Sequence, residues 1–595
     1  MKAAADFFVF LRDEQTEAHR VLTGRYERLA LVRLAVFIAC LAGLIVLSTT
    51  VWYWGVGFFV LTLPVLIWGV RHHLALNRAA ENAAIRARLA TEELAALDHD
   101  FSAFGDGADL LQPNHPYALD LDIFGAHGVF QMINRTITAP GRVRLARQLS
   151  APVSAEERAR TQVRGKILQA APAWCLEFRT IGDGLADKPT YFRKLTEWLE
   201  RPAVVGSGME KILLPLAPVL SLAGLAWMFT QNPWQLGFIT FLPAIYLVRK
   251  YKDIAAAEHA YTAEMGGLLR GYAALLRHLE TAPAELNAGA DDRSSKALRT
   301  LAYRISQLDV RYNPFVIILE VGGLWSLFWL RKLDRWREAH REDLPRWLDE
   351  LARADADVSW ATLRYERPDW TDPEFTTEPV VEAKELGHPL LPPTGRITND
   401  LALRTDGHIH LVTGSNMAGK STWLRTVGVN LVLGQAGGPV CASHLRLRPL
   451  QVWTSMRTQD DLSESTSSFY AELKRLKAII GAVADPDQQV FFLLDEILKG
   501  TNSRDRHTGS RALIRQLIRE RGAGIIATHD LELGAMEAEP GSRVENFAME
   551  VQVEGEELVF DYKLHPGVCR SFNATALMAR MGIDIPEEEI KLHHD

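Results

Sequence analysis

Long apolar stretches in the N-terminal half of the chain predict helical hairpins that cross a membrane. Residues 34–70 contain no charged side chain and suit two short helices, Leu34 to Val51 and Trp52 to Val70, across about 30 Å of hydrocarbon. Basic side chains flank this stretch on both sides, which predicts that both of its ends face the cytoplasm. They are Arg20, Arg25, Arg28 and Arg33 before the hairpin and Arg71, His72, His73 and Arg78 after it.

A second apolar pair, Ile212 to Thr230 and Pro233 to Val248, is also bracketed by basic residues and predicts a second hairpin, which gives four transmembrane helices in total. Buried core helices are the alternative for both hairpins, and the interior prolines and short length of the second make the alternative stronger there. A fifth run, Phe315 to Leu330, carries Glu320 in its middle. We interpret it as a buried helix of the helical domain, with a re-entrant or interfacial helix as the alternative.

The alternation of apolar and polar stretches divides the chain into five segments. Residues 1–73 contain the first hairpin (about 34–70), and residues 74–116 are predicted to form a helix and a polar connector. Residues 117–366 are predicted to form a helical core or lever domain, which the second hairpin (about 212–248) interrupts. A Pro- and acid-rich linker in residues 367–385 then leads to an α/β domain in residues 386–595. The α/β prediction rests on short apolar runs of the kind that form buried parallel strands.

Residues 414–421 read Gly-x-x-x-x-Gly-Lys-Ser, between an apolar strand and a helical pattern, which is the spacing of a phosphate-binding loop. Gly414 and Gly419 allow backbone N–H groups to wrap the phosphates, Lys420 reaches the β- and γ-phosphate oxygens, and the Ser421 hydroxyl ligates Mg²⁺. The sequence therefore predicts a P-loop ATPase that uses ATP and Mg²⁺. The predicted nucleotide contacts in this loop are Gly414, Ser415, Asn416, Met417, Ala418, Gly419, Lys420, Ser421 and Thr422.

Two further apolar runs end in residues that suit ATP hydrolysis. Val490 to Leu494 leads into Asp495, the expected Mg²⁺ partner, and Glu496, the candidate base that polarises the attacking water. A strand from Gly524 to Thr528 delivers His529 to the edge of the sheet where ligands bind, within reach of the γ-phosphate. Taken alone, a histidine at a strand end is more often structural, and it is the order of the three motifs that favours a catalytic role.

In this order the motifs resemble those of the MutS family of DNA mismatch repair ATPases, whose ATPase domain is of the ABC type. The family's phosphate loop matches Thr413 to Thr422, its Asp-Glu segment matches Asp495 to Thr501, and its Ala-Thr-His motif matches residues 527–529. The serine-rich segment Asp460 to Phe469 is, by itself, a helix cap or an anion site, and it resembles the family's signature. The resemblance implies that Ser467 and Ser468 reach the γ-phosphate of the other subunit, in a homodimer with two composite sites.

The sequence departs from the family pattern in the motifs and in the domains around them. Ser415 and Ala418 replace a loop proline and glycine, and Ser465 replaces a signature glycine that allows close backbone approach. The closing segment around residues 562–573 is similar to the family's, and residues 133–142 resemble the opening of its helical core. We find no counterpart in this sequence of the mismatch-reading domain, its aromatic wedge or a full clamp, so the resemblance does not imply mismatch recognition.

Charge and cysteine content change this picture only slightly. A net charge of −7 and a pI of about 6.2 argue against a strongly basic DNA-binding machine and still allow local basic faces. Four cysteines without metal or disulfide spacing are typical of a reducing compartment. We therefore predict a multi-pass protein of the cytoplasmic membrane with both termini and the ATPase domain in the cytoplasm.

Two functions are consistent with the sequence. The favoured one is a membrane-anchored ATPase that binds DNA, mismatched or branched, in repair or surveillance. The alternative is an ATP-driven switch that acts on the membrane or on an envelope protein without binding DNA, with the second hairpin in the place of a DNA clamp.

Overall fold

The computed structural model of the chain describes two compact units. It covers residues 1–50, 52–185, 187, 189–203, 210–230, 233–283, 285–286, 293–309, 320, 323–415, 418–457, 468–554 and 557–569. The first unit comprises residues 1–134, 145–172 and 359–595, and the second comprises residues 135–144 and 173–358. Because residues 117–134 belong to the first unit, the helical unit does not begin near residue 117 as predicted.

The N-terminal hairpin consists of two helices that are much longer than their apolar parts, α1 (Lys2–Thr50) and α2 (Trp52–Leu97). The boundary predicted at residues 73 and 74 falls inside α2, because residues 74–97 are rich in Ala, Leu, Arg and Glu and prolong the helix. Large apolar side chains between Leu31 and Val70 are exposed over most of both helices, for example Leu61 at 74%. The helices end and begin on either side of residue 51, which lies outside the described residues, so the predicted turn stays a prediction.

Helices make up nearly all of the described chain from residue 129 to residue 366. They are α3 (Val129–Ile133), α4 (Ala139–Ser150), α5 (Ala155–Gln169), α6 (Pro172–Gly182), α7 (Pro189–Glu200), α8 (Glu210–Thr230), α9 (Leu242–Thr262), α10 (Met265–Leu279), α11 (Arg293–Asp309), α12 (Trp325–Ala339) and α13 (Asp343–Glu366). The prediction of a large helical region is confirmed.

The second predicted hairpin is only partly regular. Its first helix is α8, but the predicted helix from Pro233 to Val248 is a 3₁₀ segment, Trp234–Phe241, followed by α9. Pro243 lies in the first turn of α9, where a missing N–H has no cost, so a new helix starts there. Among the described residues, three helices are long and apolar enough to cross a membrane by length and composition, namely α1, α2 and α8. The loop residues 231–232 lie outside the described residues.

The end of the fifth apolar run packs inside the second unit. Leu324 and Leu327 are buried against residues of α8 and α9, including Leu214 and Leu247. The carboxylate of Glu320 accepts hydrogen bonds from the backbone N and the hydroxyl of Ser326, which satisfies the charged residue of this run. Most of residues 315–322 lie outside the described part of the chain, so the interpretation as a buried helix is supported for its C-terminal end.

The C-terminal part of the first unit holds two sheets, and the predicted α/β character is confirmed. A four-stranded sheet has the order β1-β5-β2-β3, and a six-stranded sheet has the order β10-β9-β4-β8-β7-β6. The strands are β1 (Glu374–Phe375), β2 (Val380–Leu386), β3 (Asn399–Arg404), β4 (Ile409–Gly414), β5 (His444–Leu447), β6 (Gln451–Ser455), β7 (Val490–Asp495), β8 (Ala523–Thr528), β9 (Val544–Glu554) and β10 (Glu557–Pro566), with helices α14 (Lys420–Gln435), α15 (Ser468–Ala484) and α16 (Ser503–Arg519).

The segment predicted as a linker, residues 367–385, is part of this fold. It contains β1 and most of β2, and Arg367 at its start is 2% exposed and donates a hydrogen bond to the carbonyl oxygen of Ala96 at the end of α2. Apolar and charged residues alternate over residues 381–384, which places the apolar side chains on the buried face of the sheet, and the register of the strand shifts before Leu386. The composition of the segment did not reveal this strand. The rings of Phe7 and Tyr365 also meet edge to face, 5.7 Å apart. The N-terminal hairpin is therefore joined to the α/β fold within one unit.

Candidate functional site

The site is built at the carboxyl edge of three neighbouring parallel strands. β4 pairs with β8 and β8 pairs with β7, with Thr413 opposite Thr528 and Asp495 opposite Ala527. All residues of β4 and β8 are buried, so the sheet interior fixes where their ends lie. The loop after β4, the carboxylates after β7 and the histidine after β8 consequently meet at one edge.

Two glycines of the loop are required by its geometry. Gly414 has φ +151°, and a Cβ there would lie 2.4 Å from the carbonyl oxygen of Met549. Gly419 has φ +96° and precedes the first residue of α14, and a Cβ there would lie 2.9 Å from the Tyr562 ring. Only glycine satisfies both positions without displacing backbone or ring. The loop can therefore approach a ligand with its backbone N–H groups at the start of a helix.

Lys420 is held inside the loop. Its side chain is 3% exposed, and Nζ donates to the carbonyl oxygens of Gly414 (2.7 Å) and Ser415 (2.8 Å). Burial lowers the pKa of Lys420 to about 8, against the opposing influence of the Asp495 and Glu496 carboxylates. Folding has therefore placed an ammonium group where a phosphate would gain most from it.

Ser421 and Asp495, the two predicted Mg²⁺ ligands, lie next to each other. Ser421 Oγ donates to Asp495 Oδ2 at 2.6 Å. The other carboxylate oxygen, Oδ1, is buried and has no hydrogen-bond partner in the described part of the chain. A buried oxygen without a donor is costly unless a cation or water reaches it, and hydroxyl and carboxylate oxygens are the donors that Mg²⁺ prefers. The residues present thus fit the ion.

Glu496 and His529 form a close pair beside the loop. His529 Nε2 lies 2.6 Å from Glu496 Oε1, and Lys499 Nζ lies 3.4 Å from the other oxygen. The hydrogen bond from His529 lowers the pKa of Glu496 to about 2, so this carboxylate is ionised at neutral pH. Glu496 has φ +53°, a left-handed conformation that an L residue adopts at a cost of about 1 kcal/mol or more. The backbone is strained at the residue predicted to act as the base.

Glu472, on α15, supports this strained turn and was not predicted as a site residue. Its carboxylate accepts hydrogen bonds from the backbone N of Leu498 and from that of Lys499 (3.2 Å). Gly500 also packs closely on α15, since a Cβ there would lie 2.5 Å from Phe469 Cβ. The contact could not be predicted from the sequence, because the spacing between residue 472 and residues 498 and 499 follows no recognisable pattern. Only the order of these two segments along the chain hints at it.

A second unpredicted group, the acidic pair Asp120 and Asp122, fixes β6 and α14. Asp120 accepts from Thr454 Oγ1 (2.6 Å) and from the backbone N of Met456 (3.1 Å) and of Arg457 (3.0 Å). Asp122 forms an ion pair with Arg457 at 2.7 Å and lies 3.3 Å from Arg425 on α14. The segment that the sequence predicts to begin a helical core therefore holds β6, the strand that precedes the serine-rich segment.

Several predicted site residues remain untested by the geometry. Asn416, Met417 and Ser467 lie outside the described residues, as does Ser571–Asn573 of the closing segment, and of Ser468 only its place at the start of α15 is described. Ala418 is buried and Thr422 is exposed at the start of α14. The roles predicted for these residues stay predictions.

Comparison with known proteins finds a likeness in the part of the chain that contains this site. Residues 410–593 match the family model described as MutS domain V. The chain is 34% identical over 236 residues to the DNA mismatch repair protein MutS of Carboxydothermus hydrogenoformans. The aligned region covers 38% of this chain and 27% of that protein. It is 32% identical over 262 residues to the DNA mismatch repair protein MutS of Methanosarcina mazei, which covers 42% of this chain and 28% of that protein.

The likeness is thus confined to one part of the chain. The MutS protein of Thermotoga neapolitana gives a similar result, 32% identity over 241 residues, 40% of this chain and 29% of that protein. The chain therefore spans less than a third of the length of these curated relatives. The predicted resemblance to the MutS ATPase domain is confirmed for residues 410–593, and the matched region contains the loop, both carboxylates and His529.

Proposed function

We propose that this protein is an ATP hydrolase of the MutS type that is anchored in the cytoplasmic membrane and acts on DNA as a homodimer. The observation that carries the ATPase assignment is the convergence of Lys420, the Ser421–Asp495 pair and the Glu496–His529 pair on one edge of the sheet. Each part of the machinery that nucleotide hydrolysis needs has a side chain in position.

In the proposed mechanism the loop backbone and Lys420 bind the triphosphate. Mg²⁺, held by Ser421 and Asp495, would neutralise charge on the phosphate oxygens. Glu496 accepts a hydrogen bond from the attacking water and orients it. The hydrogen bond from His529 lowers the pKa of Glu496 and keeps it ionised. His529 holds that carboxylate in place and stands where it can meet the γ-phosphate.

The homodimer is proposed because the serine-rich segment resembles the family signature that contacts the γ-phosphate of the other subunit. Ser467 and Ser468 precede or begin α15, whose Glu472 is bonded to the turn that carries Glu496. A serine hydroxyl supplied by a second copy would complete the site on the side that the first copy leaves to solvent. Such a site joins ATP binding to association of two chains.

Binding to DNA is proposed because the curated relatives of this domain are named as DNA mismatch repair proteins. The domain that they share with this chain is the ATPase, so the proposal extends to DNA in general, with mismatched or branched duplexes as the first candidates. Phosphate contacts from basic side chains would supply most of the affinity and make it dependent on salt.

Membrane anchoring is proposed from the exposed apolar surface of α1, α2 and α8. Phe229 at the end of α8 is 84% exposed and Ile212 at its start is 66% exposed, which is costly in water and favourable in hydrocarbon. We place both termini and the ATPase domain in the cytoplasm, and we expect residues 212–248 to enter and leave the membrane from that same side.

The contact between the N-terminal hairpin and the ATPase fold favours a second candidate function. Tyr365, near the end of α13, packs on Phe7 and Phe8, and Arg367 bonds to Ala96, so both helices of the hairpin touch the chain just before the first strand of the α/β part of the same unit. A nucleotide-driven change would therefore reach α1 and α2 directly. In this alternative the protein is a switch that acts on the membrane or on an envelope protein, without DNA.

DNA binding in defined nucleotide states tests the two candidates. Detergent-purified full-length protein carrying Glu496→Gln, which we expect to retain ATP, is mixed with matched, mismatched and branched duplexes, with ADP or ATP and at several salt concentrations. A preference for one DNA structure that depends on ATP supports the DNA function. Intact ATP binding without affinity for any duplex would overturn it and leave the membrane switch.

A further inference from the structure

We propose that the N-terminal hairpin carries a binding site for one anionic phospholipid, in a groove between α1 and α2 with Arg33 at its rim. The inference rests on the proposed insertion of this hairpin into a membrane. It specifies the lipid that the hairpin recognises, which neither the family match nor the apolar length of the helices assigns.

The groove has the dimensions of a lipid site. It has a volume of about 630 Å³, and nearly all of the side chains that line it are apolar. They are Leu29, Ala30, Val32, Leu34, Val36 and Phe37 of α1 and Val65, Leu66, Trp68, Gly69 and Val70 of α2, together with Arg33. Gly69 forms part of its wall and is buried. A ligand pocket of several hundred Å³ that is mostly apolar, with one polar group at its edge, suits an acyl chain joined to a charged head.

Arg33 is positioned by this groove. A Cβ at Gly69 would lie 3.5 Å from Arg33 Cγ and 3.9 Å from Cδ, so the aliphatic stem of Arg33 lies over the glycine. Arg33 also comes immediately before the uncharged stretch that starts at Leu34, at the depth where phospholipid headgroups are expected. A packed aliphatic stem with a charged end is the arrangement that lets an arginine place its guanidinium at the headgroup level.

The charges around the groove are arranged to attract an anion. Between residues 21 and 78 the chain has one acidic side chain, Glu27, and five arginines. Among the residues that the structure describes, none of these five forms an ion pair with a carboxylate. They are Arg25, Arg28, Arg33, Arg71 and Arg78.

Arginines farther from the apolar stretch behave differently. Arg12 pairs with Asp13 at 2.8 Å, Arg20 pairs with Glu17 at 2.6 Å, and Arg88 pairs with Glu92 at 2.6 Å. The two helices thus pair these distant arginines with acidic side chains, whereas among the described residues the five arginines nearer the apolar stretch form no ion pair. Guanidinium groups bind phosphate through two parallel hydrogen bonds, so a phosphodiester is the fitting partner.

Aromatic side chains complete the headgroup level. Trp68 lines the groove and is 64% exposed, and its ring stacks on His72 with centroids 5.4 Å apart. Tyr26 stacks on His73 at 4.1 Å across the two helices. Indole and phenol rings favour the boundary between hydrocarbon and headgroups. The groove is therefore placed with its apolar part in hydrocarbon and its charged end among phosphates.

Lipid retention by the full-length protein tests the site. The protein is reconstituted in nanodiscs of phosphatidylcholine with about one fifth phosphatidylglycerol. The lipids that stay bound to the protein after it is released from the nanodisc are counted by native mass spectrometry. We expect the ratio of retained phosphatidylglycerol to retained phosphatidylcholine to exceed the ratio in the nanodisc by about five-fold or more, and Arg33→Gln to reduce this excess by about five-fold. Arg33→Lys, which keeps the charge, should retain most of it.

Arg20→Gln is the matched control, because it makes the same substitution on the same helix at an arginine already paired with Glu17. It should leave the excess unchanged, and ATP binding should be unaffected in all variants. Equal retention of both lipids by the wild type, or an unchanged excess in Arg33→Gln, would overturn the lipid site. Protein that stays soluble without detergent and does not enter nanodiscs would overturn the membrane anchoring as well.

Discussion

Replacing Asp120 with alanine removes the group that fixes β6 to the segment before the helical unit. Asp120 is 6% exposed, and its carboxylate accepts three hydrogen bonds, from Thr454 Oγ1 and from the backbone N of Met456 and Arg457. Thr454 Oγ1 keeps a second acceptor in Pro116 O, and the exposed Arg457 can turn to water. The main loss is the buried N–H of Met456 and the charge-assisted part of the other two bonds.

The expected local destabilisation is about 2 to 4 kcal/mol, since a hydrogen bond to a charged group contributes about 1.5 to 3 kcal/mol and a buried unpaired donor costs about 1 to 3 kcal/mol. If the amides of β6 exchange by local opening, their protection should fall by roughly 30-fold to 700-fold. Hydrogen exchange read by mass spectrometry on peptides that cover residues 451–457 measures this directly. Asp120→Asn, which keeps one acceptor oxygen, should give an intermediate effect.

Asp406→Ala serves as the control, because Asp406 is an acid of the same unit whose partner Arg404 is exposed. It should leave exchange in β6 unchanged. Unchanged protection of residues 451–457 in Asp120→Ala would refute the reasoning, because it would mean that the three bonds do not hold this strand.

Three further predictions concern the site itself. Lys420→Ala should lower ATP affinity by at least about 100-fold, measured by calorimetric titration, because it removes a buried cation aimed at the phosphates, and near-normal affinity would contradict the assignment. The pKa of Lys420 is about 8 in the nucleotide-free protein, and a bound triphosphate favours its ammonium form, so ATP affinity should fall as pH rises from about 8 to 9.5. Binding should also take up protons, which calorimetric titrations in two buffers would reveal. An ATP affinity that does not change over this pH range would exclude the linkage. Glu472→Ala should lower the hydrolysis rate by roughly ten-fold to 100-fold with little change in ATP affinity, since it frees the turn that carries Glu496, and an equal loss in both quantities would point to general unfolding.

The sequence predicted those parts of the site that lie within one motif. Gly414, Asp495 and His529 lie at or just after the strand ends expected of them, and Lys420 begins the helix expected after the loop, because the apolar runs before them are buried and leave little choice of register. Asp120, Asp122 and Glu472 could not be found this way. Their partners are separated from them by 26 to more than 300 positions, and a carboxylate that accepts backbone N–H groups leaves no pattern in either segment.

Two segments were mispredicted because their average composition indicated one structure and their local sequence favoured another. Residues 367–385 are rich in proline and acid, which is typical of a linker, yet apolar and charged residues alternate over positions 381–384 within the strand Val380–Leu386. Apolar content over residues 233–248 predicted a spanning helix, and the prolines at 233 and 243 broke it into a 3₁₀ segment and a new helix. Local backbone chemistry overrode the average hydropathy in both cases.

Nucleotide trapping by Glu496→Gln tests the central claim most directly. Full-length wild-type protein and the variant are mixed with radiolabelled ATP and Mg²⁺, separated from free nucleotide, and the bound nucleotide is identified. The account predicts that the variant retains intact ATP and hydrolyses it at least about 100-fold more slowly than the wild type, because the glutamine cannot polarise water. Turnover at the wild-type rate, or bound ADP in equal amount in both proteins, would contradict the assignment of Glu496 as the base and of this edge of the sheet as an ATPase site.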